Sequence, residues 1–551
     1  MRGKELHSRG LFPVLRTCFS RVMIISGIYC SCLPAPVSAQ ATHGGNFLEA
    51  SEIAVDLAAD SAVPALKCSE LGRHSDFDFA VISATEVEAA DGLPGLCAIY
   101  GIIEPKVQFM LKLPDNWNRR IYMHGNGGYG GQSVTGSYGA KLSGPALRQG
   151  FATVFTDTGH TRDDGHNASW AYNDLQKEID YGFRAVHLTI VTAKRLVAAY
   201  YGKTATYSYF DGCSGGGRQG LVAAQRFPGD FNGIAAGAPF YDLAGIMMQY
   251  WNNQVALAET ALSAAKVEQL GKFIMDRFDT VDGLRDGIIS NPLEIDFDPA
   301  RDLPGDETGQ DGFTRAEIKT LQRLYTGLEL NGKQIAPGIV IGAELPGRRD
   351  AALTADKSPM LSSWNSRLYP DISGYNQQLD ILVPWLRYMA FTTDDPEFDW
   401  RQLDPEQDWP RMSAMSAIFN ADNPDLFAFR NSGGKLLMYH GWGDIGVSPI
   451  MTVQYYDKVM QTMGNEETQS FFRTYMIPGM FHCYGGRNVD RFDTMTTLIN
   501  WVEADIAPDR IIASRVENNR VTRTRPLCPY PKTARYQGSG DGNRADSFRC
   551  E

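Results

Sequence analysis

Residues 207–220 read Tyr207-Ser208-Tyr209-Phe210-Asp211-Gly212-Cys213-Ser214-Gly215-Gly216-Gly217-Arg218-Gln219-Gly220. The first five positions have the aromatic, apolar character of a buried strand, and 217–225 are helix-compatible. Between them Gly212-Cys213-Ser214-Gly215-Gly216 matches G-x-S-x-G. A strand that turns directly into a helix leaves no room for side chains beside the turn, so its flanking residues must be small. The same turn exposes the serine hydroxyl at a helix N-terminus, where backbone N–H groups can stabilise an oxyanion. Ser214 is therefore the candidate nucleophile.

Outward from this turn, short buried-strand patterns recur at 107–113, 120–124, 151–156, 233–237, 435–440 and 471–477, with helical patterns between many of them, one over 185–201. Strand alternating with helix predicts an α/β domain with a largely parallel sheet. The strand signal fades after about residue 240 and returns near 433. That interval has helical patterns at 264–277 and 315–326 and predicts a large insertion, a lid over the strand ends where ligands bind. The expected organisation is a catalytic domain in two parts, 40–244 and 429–551, with a lid over 245–428.

In an α/β-hydrolase fold the chain order is Ser, acid, His. Asp444 follows the 435–440 strand and His482 follows the 471–477 strand, so both fall on loops past strand ends. In that reading His482 takes the Ser214 proton while Asp444 orients the imidazole and stabilises its cation. Singly, such an Asp is more often a cap and such a His a satisfied loop residue; three in the right order on the right elements favour the functional reading. A glycine-rich loop, His124-Gly125-Asn126-Gly127-Gly128, follows the 120–124 strand. Gly125 N–H, paired with Gly215 N–H, is the expected oxyanion hole. The loop lacks the Lys-Ser/Thr ending of a phosphate loop, and the nine histidines form neither H-x-H nor H-E-x-x-H, which disfavours nucleotide binding and a metallohydrolase.

The chain begins with a basic stretch ending at Arg21, an apolar run Val22–Tyr29 and then Val37-Ser38-Ala39. That order reads as a secretory signal over 1–39, too short in its apolar part to span a bilayer. A secreted or periplasmic location follows. The 551 residues are 43% hydrophobic and 21% charged, which excludes a disordered, collagen-like or multi-span membrane chain. Net charge is −12, and no Lys/Arg run interleaves with aromatics, so nucleic acid is an unfavourable partner. Beyond residue 39 six cysteines remain; in an oxidising compartment they imply disulfides, with fifteen formal pairings. Proximity favours Cys68–Cys97 and Cys528–Cys550, which leaves Cys213 with Cys483. That last bond would tie the backbone of the nucleophile to that of the base.

In the insertion, Asp279-Thr280-Val281-Asp282-Gly283-Leu284-Arg285-Asp286-Gly287-Ile288 places three carboxylates within eight residues. Hard oxygen donors at this density suit Ca²⁺, with the Leu284 and Ile288 carbonyls completing the shell; the alternative is a solvated acidic turn. The distance in sequence from Ser214 makes such an ion structural.

Ser214 and His482 each flanked by a cysteine, the Gly212–Gly220 stretch and Pro478-Gly479-Met480-Phe481-His482-Cys483 together resemble the tannase/feruloyl esterase family. Thr156-Asp157-Thr158-Gly159-His160, the Asp-Gly loop and Arg523-Thr524-Arg525-Pro526-Leu527-Cys528 extend the likeness over most of 60–551. The resemblance implies an α/β-hydrolase fold with a large inserted lid domain, a Ca²⁺ in the lid, and hydrolysis of esters of aromatic acids. By matching motifs it carries over Ser214, Asp444 and His482 as the triad, Gly215 and Gly125 as oxyanion donors, and Asp279, Asp282, Leu284, Asp286 and Ile288 as calcium ligands. Unlike many lids of the family, residues 214–482 contain no cysteine. The expected substrate is a small aromatic ester, feruloyl, hydroxycinnamoyl or galloyl. The alternatives are an esterase of the mono(2-hydroxyethyl) terephthalate type and a non-catalytic Ca²⁺-dependent binding protein on a hydrolase scaffold. Tyr250, Trp251, Trp364 and Trp385 are lid aromatics placed to clamp a ring or, as isolated residues more often do, to fill the core.

Overall fold

The computed structural model describes residues 46–161, 167–347, Trp364, Leu368 and 376–551; the expected export segment, 1–39, lies outside them. Strands β1 (Phe79–Val87), β2 (Leu96–Ile103), β3 (Val107–Pro114), β4 (Arg120–His124), β5 (Ala152–Thr156), β6 (Tyr207–Cys213) and β7 (Gly233–Gly237) precede the insertion. The insertion contributes a small hairpin, β8 (Gly327–Leu330) and β9 (Lys333–Pro337), and β10 (Lys435–Gly441) and β11 (Phe472–Ile477) follow it. Nine of these form one sheet in the order β1-β2-β3-β5-β4-β6-β7-β10-β11. The pairs from β1 to β5 are antiparallel; those from β5 to β11 are parallel.

Both faces of the parallel half are covered, which is why its strands read as continuous apolar runs. Met123, Phe210, Ile234 and Leu436 lie in register across four strands and enter one core cluster. Their chain neighbours Tyr122, Tyr209, Ala235 and Leu437 enter another. Helices α1 (Ser137–Arg148), α2 (Leu175–Ile179), α3 (Ala185–Tyr201), α4 (Gly215–Arg226) and α5 (Leu243–Glu259) follow in chain order. The expected strands appear within a residue or two of their predicted ends. The 185–201 and 315–326 helices match the structure end for end, the latter closed by a Thr314/Glu317 capping box.

Residues 238–434 enter between β7 and β10, which are adjacent in the sheet. Residues 41–551 form one compact unit, so insertion and sheet pack as one body. α5 is nearly all buried, and its Gln249 donates to the carbonyl oxygens of Pro337 and Gly338 at the end of the hairpin. Three disulfides close, Cys68–Cys97, Cys213–Cys483 and Cys528–Cys550, the pairing expected from the sequence. No helix among the described residues is long and apolar enough to cross a membrane.

The Thr156–His160 motif leaves β5 and supports the glycine-rich loop from below. The Asp157 carbonyl accepts from Gly131 N–H at 3.0 Å, and its Oδ1 accepts from Gln108 and Gly159 N–H at 2.9 and 2.8 Å. Its Oδ2 is buried without a hydrogen-bond partner, as is Oδ2 of Asp180, whose Cβ would lie 2.7 Å from a Cβ built on Gly159. Burial, with the neighbouring Asp180 adding to it, pushes the Asp157 carboxyl up to about 7. The native state therefore holds a proton that the unfolded chain releases near pH ~4. The stability it contributes is complete below ~4 and is lost as pH rises through about 7. Asp157→Asn is expected to flatten the fall of the thermal midpoint between pH 5 and 8. Parallel pH slopes for variant and wild type would show that Asp157 is ionised throughout.

Candidate active site

β6 ends at Cys213 and α4 starts at Gly215, leaving Ser214 alone to make the turn. Its backbone is held at φ 64°, ψ −120°, a left-handed conformation that costs a serine about 1–3 kcal/mol. Ser214 N–H donates to the Gly237 carbonyl at 2.9 Å, and its own carbonyl accepts from Arg218 and Phe240 N–H at 3.0 and 3.1 Å. The small neighbours are a steric necessity. A Cβ on Gly212 would sit 2.7 Å from the Gly216 carbonyl carbon, and one on Gly215 would sit 2.5 Å from the Gly128 oxygen.

Asp444 lies just past β10 and is 1% exposed. His482 Nδ1 donates to its Oδ2 at 2.5 Å, and Gly446 and Val447 N–H donate to its Oδ1 at 2.8 and 3.0 Å. Burial alone pushes this carboxyl up, but His482 and His440 outweigh it and hold the group well below the usual carboxylate range. It stays ionised. Nδ1 of His482 is thus committed to Asp444. Ser214 and His482 line the same cavity of about 360 Å³, and the disulfide joins their neighbours Cys213 and Cys483 with Cα atoms 6.0 Å apart. Gly127, Gly128, Tyr129, Tyr138 and Phe240 line it from the sheet side, Tyr250, Gln377 and Ile381 from the insertion.

Gly125 is a correction. Its N–H donates to the Asp211 carbonyl at 2.9 Å, continuing the β4–β6 pairing, and a Cβ there would strike Gly216. Asn126 N–H is taken as well, by Gln219 Oε1 at 2.9 Å. Of this loop His124, Gly127 and Gly128 line the cavity and Gly125 and Asn126 do not, because the N–H groups of those two are already used, one by the ladder and one by Gln219. Gly215 N–H, in the first turn of α4, has no intrahelical acceptor. Of the four lid aromatics, only Tyr250 faces the cavity, with its hydroxyl on the Gly446 carbonyl. Trp251, Trp364 and Trp385 are buried in the core.

The Gly212–Gly220 motif ends in two residues whose work the sequence does not reveal. Gln219 holds the glycine loop through Asn126. Arg218, fully buried, donates to the carbonyls of Tyr181, Gly182 and Phe419 at 2.9, 2.9 and 3.0 Å and so fastens part of the insertion to α4. His440 was also missed. It is fully buried near the end of β10 with Nε2 3.0 Å from Asp444 Oδ2, a contact made only by the turn that follows the strand.

In the acidic loop, Asp279 accepts from the N–H groups of Asp286, Gly287 and Ile288, and Asp282 from Leu284 N–H and Ser290 Oγ. Asp286 pairs with Arg525 at 2.5 Å and with Arg523 at 3.6 Å. Among the described residues no three His, Cys, Asp or Glu side chains converge as a metal cage. One feature fits a cation: Asp286 Oδ1 is buried without a hydrogen-bond partner.

The sequence profile of "Tannase and feruloyl esterase" matches residues 95–551. The chain belongs to that family. It is 32% identical over 532 residues to the mono(2-hydroxyethyl) terephthalate hydrolase of Piscinibacter sakaiensis, covering 85% of this chain and 87% of that one. A probable feruloyl esterase of Arthroderma benhamiae is 32% identical over 468 residues, covering 81% and 82%. The crystal structure of feruloyl esterase B from Aspergillus oryzae superposes with a TM-score of 0.72 at 26% identity, over 88% of this chain and 99% of that one. Tannin acyl hydrolase from Aspergillus niger shares the fold, with a TM-score of 0.63 at 19% identity, over 86% and 90%. Membership of the tannase and feruloyl esterase family makes this chain a carboxylic ester hydrolase with an α/β-hydrolase fold.

In a tannase-family hydrolase built this way, the disulfide beside Ser214 and His482 closes a 270-residue separation. Replacing both its cysteines (Cys213→Ala with Cys483→Ala) is expected to cost about 3 kcal/mol in chemical denaturation and to lower kcat by more than about tenfold through lost alignment. Full activity in a folded double variant would mean that the sheet alone aligns the pair.

Proposed function

We propose that this chain is an exported serine esterase that releases aromatic acids, hydroxycinnamic or gallic, from small esters. The observation that carries the reading is that a strained, half-buried serine and an aspartate-bound histidine line one cavity and are joined through their neighbours by a disulfide. Ser214 attacks the ester carbonyl as His482 takes its proton, and Asp444 stabilises the imidazolium. Gly215 N–H and the N–H edge at Gly127–Gly128 receive the oxyanion. His482 then protonates the departing alcohol, and water repeats the sequence on the acyl-enzyme.

The ring-rich lining supports a flat aromatic acyl group. Tyr129 donates its hydroxyl to the Ile381 carbonyl at 2.8 Å, and Tyr250 uses its own on Gly446, so both present ring surface to the cavity. The second reading is a mono(2-hydroxyethyl) terephthalate-type esterase, favoured by the relative of that name. Among the described lining residues there is no Lys or Arg to hold a distal carboxylate, which supports the uncharged acids. The three disulfides support an oxidising compartment, in keeping with export through residues 1–39.

The test is hydrolysis of methyl ferulate, caffeate, gallate and butyrate and of mono(2-hydroxyethyl) terephthalate by residues 40–551, beside Ser214→Ala. Turnover of the neutral aromatic esters is expected, falling by about 10⁴-fold or more in the variant. Turnover that survives in Ser214→Ala removes the triad; preference for the terephthalate ester selects the second reading.

We further propose that Asp279, Asp282 and Asp286, with the Leu284 and Ile288 carbonyls, hold a structural Ca²⁺, which would satisfy the unpartnered Asp286 oxygen. Millimolar Ca²⁺ is expected to raise the thermal midpoint of chelator-treated protein by several degrees. No shift would mean that Arg487, Arg523 and Arg525 hold the loop without the ion.

A further inference from the structure

His440 lies at the end of β10, fully buried, on the side of Asp444 away from the cavity lining. Its Nε2 is 3.0 Å from Asp444 Oδ2 and 3.1 Å from the Val447 carbonyl, and its Nδ1 is 2.7 Å from Thr452 Oγ1. A carboxylate and a carbonyl only accept, so Nε2 carries the proton. Nδ1 faces the Thr452 hydroxyl, on the helix Pro449–Met463. Asp444 is then the acceptor of four donors. Gly446 and Val447 N–H occupy Oδ1, and two imidazoles share Oδ2. Four is the full capacity of a carboxylate.

We infer that His440 is a positioning residue for the ester hydrolysis proposed above, a second imidazole that fixes the Asp444 carboxylate and sets the basicity of His482. The inference rests on Asp444 and His482 working as that reading assigns them. Two consequences follow from the geometry. With both oxygens saturated, Asp444 cannot rotate away from His482, nor can it take the proton that His482 receives. The N–H donated by His440 also withdraws part of the negative charge that would otherwise stabilise the His482 imidazolium, so His482 stays neutral, and able to act as a base, to lower pH. The direction does not depend on the charge of His440, because a cationic ring there would oppose the imidazolium further. The other groups packed against Asp444, Thr452 and the backbone of residues 445–447, do not ionise. Among the described residues His482 and His440 are the titratable groups hydrogen-bonded to its carboxylate.

Two readouts are needed: kcat/KM for the best ester of the panel against pH, and the rate of inactivation by a small phosphonofluoridate against pH, which reports the Ser214–His482 pair without requiring the right ester. His440→Phe fills the site without a donor. It is expected to move the acid limb of both profiles up by about half a pH unit and to lower kcat about tenfold, with KM within about twofold. His440→Gln keeps an N–H donor and is expected to return the limb towards wild type. Thr452→Val leaves the ring in place but removes the hydroxyl that selects its tautomer, and it is expected to move the limb the same way by less. It decides the matter if His440→Phe does not fold. Folded variants whose acid limbs coincide with wild type overturn the inference and leave the esterase reading standing. Inactivation without turnover of any ester removes the substrate reading while the limbs still decide the role of His440. A wild type that neither turns over esters nor reacts with the phosphonofluoridate overturns both.

Discussion

The backbone of Ser214 is the constraint on which the rest of this structure depends. Nothing intrinsic to serine favours φ 64° with ψ −120°, so the conformation persists because its surroundings leave no other. Gly212, Gly215 and Gly216 let three chain segments approach to distances at which any side chain would collide. The Gly237 carbonyl holds the serine N–H from β7, and the Cys213–Cys483 bond holds it from the loop after β11. Four strands and the glycine loop thus converge on one residue, and a change in any of them moves its hydroxyl.

That convergence explains how the rest of the chain is distributed. Arg218 buries a guanidinium to bind three carbonyls, two of them in the turn 181–182 and one in the helix Ser413–Phe419. A charge so deeply buried is costly unless its hydrogen bonds are met, and three carbonyls with the Tyr181 ring 4.4 Å away supply most of them. The insertion is therefore fastened to the same helix whose N-terminus carries the nucleophile. At the other end, Arg487 reaches the Gly287 and Pro346 carbonyls, and Asp286 reaches Arg525, so the acidic loop is fastened to the segment that follows His482.

Legibility in the sequence followed burial. Strands with both faces covered, such as β4, β6, β7 and β10, have uniformly buried patterns and were readable as apolar runs. β1 was not, because it is an edge strand: its second half is mostly exposed, and a register shift between Val81 and Ser83 breaks its alternation. Ser214, Asp444 and His482 could be placed at the ends of their elements because a parallel sheet imposes the element order, and the cysteines could be paired because chain separation limits the choices. Gly125 N–H was misjudged as facing the cavity, since whether the N–H just past a strand is still paired depends on the neighbouring strand, here Asp211 of β6. His440 and Gln219 were invisible for a similar reason: each acts through a partner brought near only by the fold.

Two carboxylates lie buried beneath the cavity, and their different partners separate their roles. Asp444, past β10, holds two imidazoles and two backbone N–H groups. Asp211, on β6, receives Asn46 Nδ2 and the Tyr122 hydroxyl on Oδ2, with His124 Nδ1 3.4 Å away. Asn46 is itself held by Thr494 Oγ1 at 2.7 Å. The hydrogen bonds Asp211 accepts thus come from neutral groups, and they tie residue 46 and the helix Thr494–Ala504 to the strand that ends in the nucleophile. His124 lines the cavity and directly precedes the glycine loop. Asp211 takes the loop from both ends of this junction, its side chain towards His124 and its carbonyl on Gly125 N–H. Flanking β7, β6 carries one of these carboxylates and the loop after β10 the other, and each faces an imidazole that lines the cavity, His124 and His482. One arrangement fixes the backbone that would receive the oxyanion; the other fixes the ring that would receive the proton. Because the two carboxylates share no hydrogen-bond partner, the loop after β4 and His482 are held independently, and a change at one need not disturb the geometry of the other.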